Sequence, residues 1–235
     1  MKFTEPLTIG ILEKRYKRFL ADVILPDGNR ITAHCPNTGT MKGCSTPGSR
    51  VALSKSDNPK RKYAYTFEMI EEANGWVGVN TARTNKLVAE AIEKKLIDQW
   101  QDVESLRAEV KISPQTRLDL QLTHSDKSTT LVEIKNCSLA EIGCAKFPDA
   151  VTARGTKHLN ELKAIAENGQ KAAIFYLVQR MDADCFRPAK EIDPLYADTF
   201  LDAQQAGVGI LIYQARVTLK GIEVVRQLPL RLDAK

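Results

Sequence analysis

Two acids and a lysine in the middle of the chain, Asp119, Glu133 and Lys135, have the types and spacing for phosphodiester chemistry. Leu118, Leu120 and Leu122 alternate with Arg117, Asp119 and Gln121, and Val132 and Ile134 alternate with Leu131, Glu133 and Lys135. Strict alternation predicts two strands, each with one apolar and one polar face. The polar run from His124 to Ser128 supplies the turn. A hairpin symmetric about Asp126 sets Asp119 opposite Glu133 and Arg117 opposite Lys135, with facing Cβ atoms roughly 5 Å apart. Two carboxylates that close repel unless a cation lies between them. Mg²⁺ is held by one or two carboxylates, water and substrate phosphates. Lys135 would orient a metal-bound water or stabilise charge on the phosphate. The same four charged residues suit a solvent-facing hairpin with cross-strand ion pairs, which is a common arrangement. An Asp followed by Glu-x-Lys is a loose pattern, and alone it leaves both readings open.

The elements that must position these residues can be read on either side. Leu87, Val88, Ala91, Ile92 and Leu96 form an apolar stripe on a helix expected over 83–97. Glu90 falls off the stripe and reads by itself as a partner for Lys94 at i,i+4. A strand from Leu106 to Ile112 leads into the hairpin. A second helix over 149–168 buries Leu159, Leu162, Ile165 and Ala166 and stops at Gly169. Its first turns carry Arg154, Lys157 and His158, which suit either a phosphate site or plain capping with a Lys157–Glu161 pair. Ala172 to Val178 is a doubly buried strand. Asp193-Pro194 opens a third helix that closes at Gly207. A strand from Val208 to Ala215 and a final hairpin turned at Lys220-Gly221 complete a mixed sheet flanked by helices.

The first third is different. Short β runs over 8–25, Arg30–Cys35, Arg50–Lys55, Tyr63–Glu72 and Trp76–Val79 are separated by turn signals such as Pro26-Asp27-Gly28-Asn29 and Asn74-Gly75. Five such strands predict a small OB-like barrel over residues 1–80, ahead of the α/β unit at 81–235. Cations and rings interleave on it: Arg15, Tyr16, Lys17 and Arg18 in one cluster, Lys60, Arg61 and Lys62 beside Tyr63 in another. Such mixtures bind nucleic acid on OB surfaces, the cations meeting phosphates and the rings stacking on bases. They also occur as a core ring beside exposed charge. His34 and Cys35 lack a zinc-like ligand set and read as part of a loop tied by the Asn37 and Thr38 side chains.

The charge follows the same division. The net +5 resides mainly in residues 1–80, where 12 Lys or Arg face 8 Asp or Glu, a net of +4; residues 81–235 carry 22 against 21. That concentration favours a nucleic-acid partner on the barrel. Five cysteines, an odd count without C-x-x-C spacing, argue against disulfides and for a reducing cytosol. The charged N-terminus and the lack of any window near the ~18 apolar residues of a membrane span point to a cytoplasmic protein with no membrane partner.

An Asp in the second strand and Glu-x-Lys in the third resemble the core of the PD-(D/E)xK nuclease superfamily. Longer motifs resemble the sugar fermentation stimulation protein A family: Arg15–Asp22 (RYKRFLAD), His34–Gly39 (HCPNTG), Val79-Asn80-Thr81, Phe147–Thr152 (FPDAVT), Arg154-Gly155 and Lys157-His158-Leu159. The resemblance implies an OB-like domain joined to a PD-(D/E)xK-like domain, and binding to DNA, or to RNA, without strong sequence preference. It further implies Asp119 and Glu133 as ligands of Mg²⁺ or Mn²⁺, Lys135 as the catalytic lysine and Glu90 as a first-helix acid. Lys157 and His158 would lie near the substrate phosphates. Two functions follow: a metal-dependent nuclease, or a non-cutting DNA-binding regulator linked to sugar (maltose) metabolism.

Overall fold

The computed structural model describes residues 1–113 and 116–232. The first long β run divides into β1 (Thr8–Tyr16) and β2 (Leu20–Ile24), turned at Lys17 and Arg18, which hold positive φ angles of 50° and 64°. Non-glycine residues rarely adopt that conformation. Here it is secured by the Arg15 guanidinium, which donates to the Arg18 carbonyl at 2.8 Å. β3 (Arg30–His34), β4 (Arg50–Lys55), β5 (Tyr65–Glu72) and β6 (Gly75–Gly78) follow. The order β3-β2-β1-β4-β5 closes on itself through a β3–β5 pairing, so β1 to β5 form a five-stranded barrel and β6 extends it beside β5. The count of five holds, but the fifth barrel strand comes from splitting the first run. Leu12, Val23, Leu53, Phe67 and Ile70 fill the interior.

Helix α1 (Thr84–Glu93) begins the second unit. β7 (Val103–Ser113), β8 (Thr116–His124) and β9 (Thr129–Cys137) run antiparallel. After two short strands, β10 (Leu139–Glu141) and β11 (Cys144–Phe147), comes α2 (Ala153–Glu167). Then follow β12 (Lys171–Val178), β13 (Cys185–Pro188), α3 (Pro194–Gln205), β14 (Gly209–Thr218) and β15 (Gly221–Gln227). The main sheet has the order β15-β14-β12-β9-β8-β7, with β12 parallel to both neighbours. Both faces are covered. Ala173, Phe175 and Leu177 of β12 pack toward α1 and, through Ala52 and Met69, the barrel; Ile174, Tyr176 and Val178 pack toward α2 and α3. That explains the unbroken apolar run in β12. Among the described residues no helix is long and apolar enough to cross a membrane.

Two features depart from expectation. β10, β11 and β13 form a separate three-stranded sheet, and Cys144 of β11 is joined to its register partner Cys185 of β13 by a disulfide. The odd cysteine count argued against any pairing. The bond arises because a parallel pairing between strands 41 residues apart sets the two side chains together, and spacing along the chain cannot reveal that. Cys35, Cys44 and Cys137 remain free and buried.

The barrel is bolted to the second unit near residue 80. Gly78 N–H donates to the Gln179 carbonyl at 2.8 Å, and a Cβ on Gly78 would meet Gln179 Oε1 at 2.3 Å and its Cβ at 3.0 Å, so a larger residue here would have to displace the Gln179 side chain. Glu68 of β5 is fully buried. It accepts from Arg83 Nε and Nη2 at 2.5 Å each, from Asn80 Nδ2 at 2.8 Å and from Ser54 Oγ at 2.6 Å.

Candidate functional site

The β8–β9 hairpin has the register expected of a turn centred on Asp126, with Leu120 opposite Val132 and Thr123 opposite Thr129. The backbone ladder ends at Leu120. One step further, the Asp119 carboxylate takes over: Oδ2 accepts the Ile134 N–H at 2.7 Å, and Oδ1 accepts from Asn85 Nδ2 at 2.8 Å. Asp119 therefore lies against Glu133 where two strands part, in the place a ladder bond would occupy. The Arg117–Lys135 pairing is not formed, because the ladder has ended; Arg117 is exposed and pairs with Glu109 of β7 at 3.7 Å.

This polar face is not turned to solvent. Helix α2 covers it, and Glu133 is only 4% exposed. Glu133 Oε1 accepts from Lys135 Nζ at 2.7 Å and from His158 Nδ1. His158 Nε2 accepts from Arg154 Nε at 3.4 Å, which leaves the ring proton on Nδ1, facing Glu133. The other carboxylate oxygen, Glu133 Oε2, is buried with no hydrogen-bond partner. A solvated hairpin face of exchanging ion pairs does not look like this.

The two acids are driven apart in acidity. Burial pushes Asp119 up, and the Glu133 charge adds to it against the hydrogen bonds from Ile134 and Asn85. Burial also works to raise Glu133, but the His158 hydrogen bond and the Lys135 ammonium outweigh it and hold Glu133 below the usual carboxylate range. A divalent cation between the two would relieve the strain on Asp119 and partner the orphaned Glu133 oxygen. Both are hard oxygen donors, as Mg²⁺, Mn²⁺ and Ca²⁺ prefer. Among the described residues no three His, Cys, Asp or Glu side chains are grouped to hold a metal. The pair would leave most of a cation's shell to water and phosphate oxygens, and within that limit the residues fit.

A cleft of about 510 Å³ opens from Asp119 between β7, β8 and the start of α2, lined by Lys111, Arg117, Arg154, Lys157 and His158. Arg154, Lys157 and His158 are thus brought to the acids. Thr152 caps α2 by accepting from the Gly155 N–H at 3.1 Å. Lys157 also makes the i,i+4 contact with Glu161, at 3.7 Å.

Other expected residues lie elsewhere. Glu90 pairs with the Met1 amino group at 2.9 Å and with Lys94, in a hollow shared with Arg216 and Glu223. The side chain that α1 sends to Asp119 is Asn85, five positions earlier, which is about 140° around and about 7.5 Å along a helix from Glu90. Expecting Glu90 at the site is corrected accordingly. Tyr16 donates to Asp22 at 3.0 Å and lies under Lys14. Lys17, Arg18, Lys60, Arg61 and Lys62 are exposed cations of the barrel.

Arg15 is not a free cation. Its guanidinium donates to the carbonyls of Arg18, Asn37 and Gly39 at 2.8 Å and of Thr40 at 3.1 Å. It organises the loop instead of facing a phosphate. Arg15→Ala should lower stability by about 2 kcal/mol, from the loss of a charged donor to several carbonyls. Lys17→Ala, which removes an exposed cation, should change the melting temperature hardly at all; thermal unfolding of the two variants separates the roles.

The family-like motifs meet around this loop. Asn37 Oδ1 accepts from the Gly39 N–H at 2.9 Å and its Nδ2 donates to the Val79 carbonyl at 3.2 Å, while Thr81 Oγ1 donates to the Pro36 carbonyl. Asp149 accepts from Met41 N at 2.8 Å and from Thr40 Oγ1 at 3.1 Å. A Cβ on Gly39 would sit 2.7 Å from the Asp149 carboxylate, which accounts for the glycine. The joined loops line a second cleft, of about 390 Å³, that reaches Asn85, Lys135 and Asn136. Sequence reasoning missed Asn85, Asn136 and Asp149 as members of this region. Asp149 stood within a recognised motif; Asn85 and Asn136 gave no signal beyond their closeness to Thr81 and Lys135.

Comparison with known proteins agrees with this architecture. The profile described as "SfsA N-terminal OB domain" matches residues 14–79, and that of the "Sugar fermentation stimulation protein RE domain" matches residues 82–221. A sugar fermentation stimulation protein homolog of Desulfotalea psychrophila is 54% identical over 96% of this chain and 95% of its own. One from Shewanella loihica is 46% identical over 99% of this chain and 100% of its own. The solved structure of Pyrococcus furiosus SfsA in complex with Ca²⁺ superposes with a TM-score of 0.91 at 26% identity, covering 99% of this chain and 98% of that one.

Proposed function

The chain belongs to the sugar fermentation stimulation protein family, with an OB barrel ahead of the family's second domain, and from that premise we propose that this second domain is PD-(D/E)xK nuclease-like and that the protein binds nucleic acid and hydrolyses phosphodiester bonds with a divalent cation. The observation that carries the reading is the buried, partnerless Glu133 Oε2 beside Asp119, whose charge the fold disfavours. A stable protein that needed only ion pairs would not keep two acids together in that state. The complex of the Pyrococcus furiosus relative with Ca²⁺ supports an oxygen-donor cation, with Mg²⁺ or Mn²⁺ as the working ion here.

When bound, such a cation supplies Lewis-acid polarisation of a phosphate and makes water acidic. The chain's own residues do the rest. Asp119 and Glu133 would hold the ion. His158, fixed by Arg154, keeps Glu133 oriented and its Oε1 occupied. Lys135 presents an ammonium 2.7 Å from Glu133, close enough to the acids to stabilise charge developing on a phosphate. Arg154 and Lys157 neutralise neighbouring phosphates. Lys17, Arg18 and Lys60–Lys62 add exposed positive charge on the barrel, which we read as a docking surface within a unit spanning residues 1–80; residues 81–235 form the cutting unit. We place the protein in the cytoplasm, where nucleic acid is available to it.

A second reading has its own observation. Both Asp119 oxygens and Glu133 Oε1 are already hydrogen-bonded within the protein, as suits a DNA-binding regulator of sugar genes that does not cut. One experiment separates the two. DNA is incubated with the protein and Mg²⁺ or Mn²⁺, and affinity is measured in EDTA over a range of salt. The nuclease reading expects metal-dependent products. Binding without products across both metals and all substrate forms leaves the regulator. Affinity that stays flat as salt rises removes phosphate recognition, and both readings with it.

A further inference from the structure

We propose that the strand taken into the site is single, and that its unstacked bases occupy the cleft between the barrel and the second unit. The inference rests on the nucleic-acid reading above and names the substrate form. The acids lie between two clefts with different linings. The one beyond Asp119 sets Lys111, Arg117, Arg154 and Lys157 beside Glu109 and Asp119, a charged wall whose cations suit phosphates. The one beyond Lys135 has Arg18, Lys135, Lys146 and Asp149 at its charged points and between them a set of neutral amides and hydroxyls, among them Thr38, Thr84, Asn85, Asn136 and Ser138. Such groups hydrogen-bond base edges, which a duplex keeps stacked and paired inside.

Size and closure point the same way. The amide-lined cleft holds about 390 Å³, near the lower end of pockets that enclose a small ligand. A double helix, whose major groove alone is about 12 Å wide, does not fit. Nor can the cleft simply spread, because its two walls are bonded together: Thr40 and Met41 on the barrel side are tied to Asp149 on the other, at 2.8 Å for Met41 N and for Thr40 Oγ1 to the Asp149 carbonyl. Beside it, the β1–β2 turn presents Arg18, which lines the cleft, and next to it in the chain Phe19, which is 47% exposed. A cation on the wall of a narrow polar cleft and an exposed aromatic residue adjoining it in the same turn are the parts of a single-strand binding surface, with phosphate contact from one and base stacking from the other. Burial cannot explain Phe19, and no ring partner engages it among the described residues.

The test is binding of fluorescent oligo-dT, oligo-U and a blunt duplex of equal length to the full chain in Ca²⁺ at fixed salt. A single strand of either kind should bind at least tenfold more tightly than the duplex. Phe19→Ala should cost about tenfold on the single strand, since base–aromatic stacking is worth about 1–3 kcal/mol. Thr38→Glu and Val151→Glu, at exposed positions on the cleft wall, should weaken single-strand binding at least as much without lowering the melting temperature. Equal or tighter duplex binding overturns this inference and leaves the proposed function standing, as does single-strand affinity unmoved by the cleft substitutions. Failure of every form to bind overturns both.

Discussion

Asp119→Asn and Glu133→Gln should each lower metal-dependent cleavage by about 10²-fold to 10³-fold or more, the range for removing one essential electrostatic partner of a reacting group, yet shift stability in opposite directions. Asp119 is an acid whose pKa the fold raises above its reference of 3.8. The unfolded chain therefore ionises it more readily, and stability falls as pH rises from the unfolded value through the folded one. At neutral pH that loss is fully present. Asparagine removes the charge and keeps an oxygen for the Ile134 N–H, while the Asn85 amide can turn its own oxygen to the new amide. Asp119→Asn should thus melt at the same temperature as the parent or higher. Glu133 is the reverse case. Its folded pKa lies below the reference of 4.5, so its contribution is present above that value and is lost as pH falls through the folded pKa. Glu133→Gln leaves the Lys135 ammonium, 13% exposed, without its carboxylate, and should melt lower at pH 7. Calorimetry with and without Ca²⁺ completes the test. Cation binding should raise the parent's melting temperature by mass action and leave both variants unmoved. A substituted Asp119 that loses stability would mark a structural acid. Such a gain in stability with loss of function is expected where a site holds like charges together for a ligand.

Much of this centre was legible because the hairpin carries a strict period of two and a turn with one obvious midpoint. Those two facts set Asp119 against Glu133 before any coordinates. The apolar run in β12 and the Asp193-Pro194 start of α3 were equally plain. What stayed hidden depends on partners distant in sequence. Whether Glu133 faces water or α2 is decided by packing of a helix that begins at Ala153, and alternation along β9 is the same in both cases. Arg15 in a basic cluster has the composition of a phosphate contact; only the fold brings four carbonyls around it. Glu90 satisfied the expected acid on the expected helix, but the turn that faces Asp119 is the one carrying Asn85. β10, β11 and β13 are three or four residues each, and β11 pairs with β13 across α2, so neither period nor length could mark them, and the Cys144–Cys185 bond was hidden with them.

The joint between the units should be the most fragile charged spot in the molecule. Glu68 has no solvent exposure, and Arg83 supplies two of its four hydrogen bonds while lying over the Phe3 ring at 5.2 Å. Arg83→Ala leaves a buried carboxylate with only Asn80 and Ser54 and should cost about 3–5 kcal/mol. For a chain of this size that is a fall in melting temperature of roughly 6–20 °C. The double variant Glu68→Leu with Arg83→Met replaces the pair by apolar groups of similar length and should recover part of the loss, since a buried ion pair gains little over a well-packed isostere while the Asn80 amide and Ser54 hydroxyl lose their acceptor. A single variant within about 1 kcal/mol of the parent would show the pair to be ornamental. The consequence reaches the site without touching it. Glu68 belongs to β5, and Asn80 and Arg83 lead directly into α1, which carries Thr84 and Asn85 to the amide-lined cleft and to Asp119. Loosening this joint should therefore weaken single-strand binding at temperatures where the protein is still folded. Ca²⁺ binding should suffer less, because both carboxylates sit on the hairpin and keep their own register. A parallel loss of both would mean that the joint supports the sheet as a whole and not the cleft between the units.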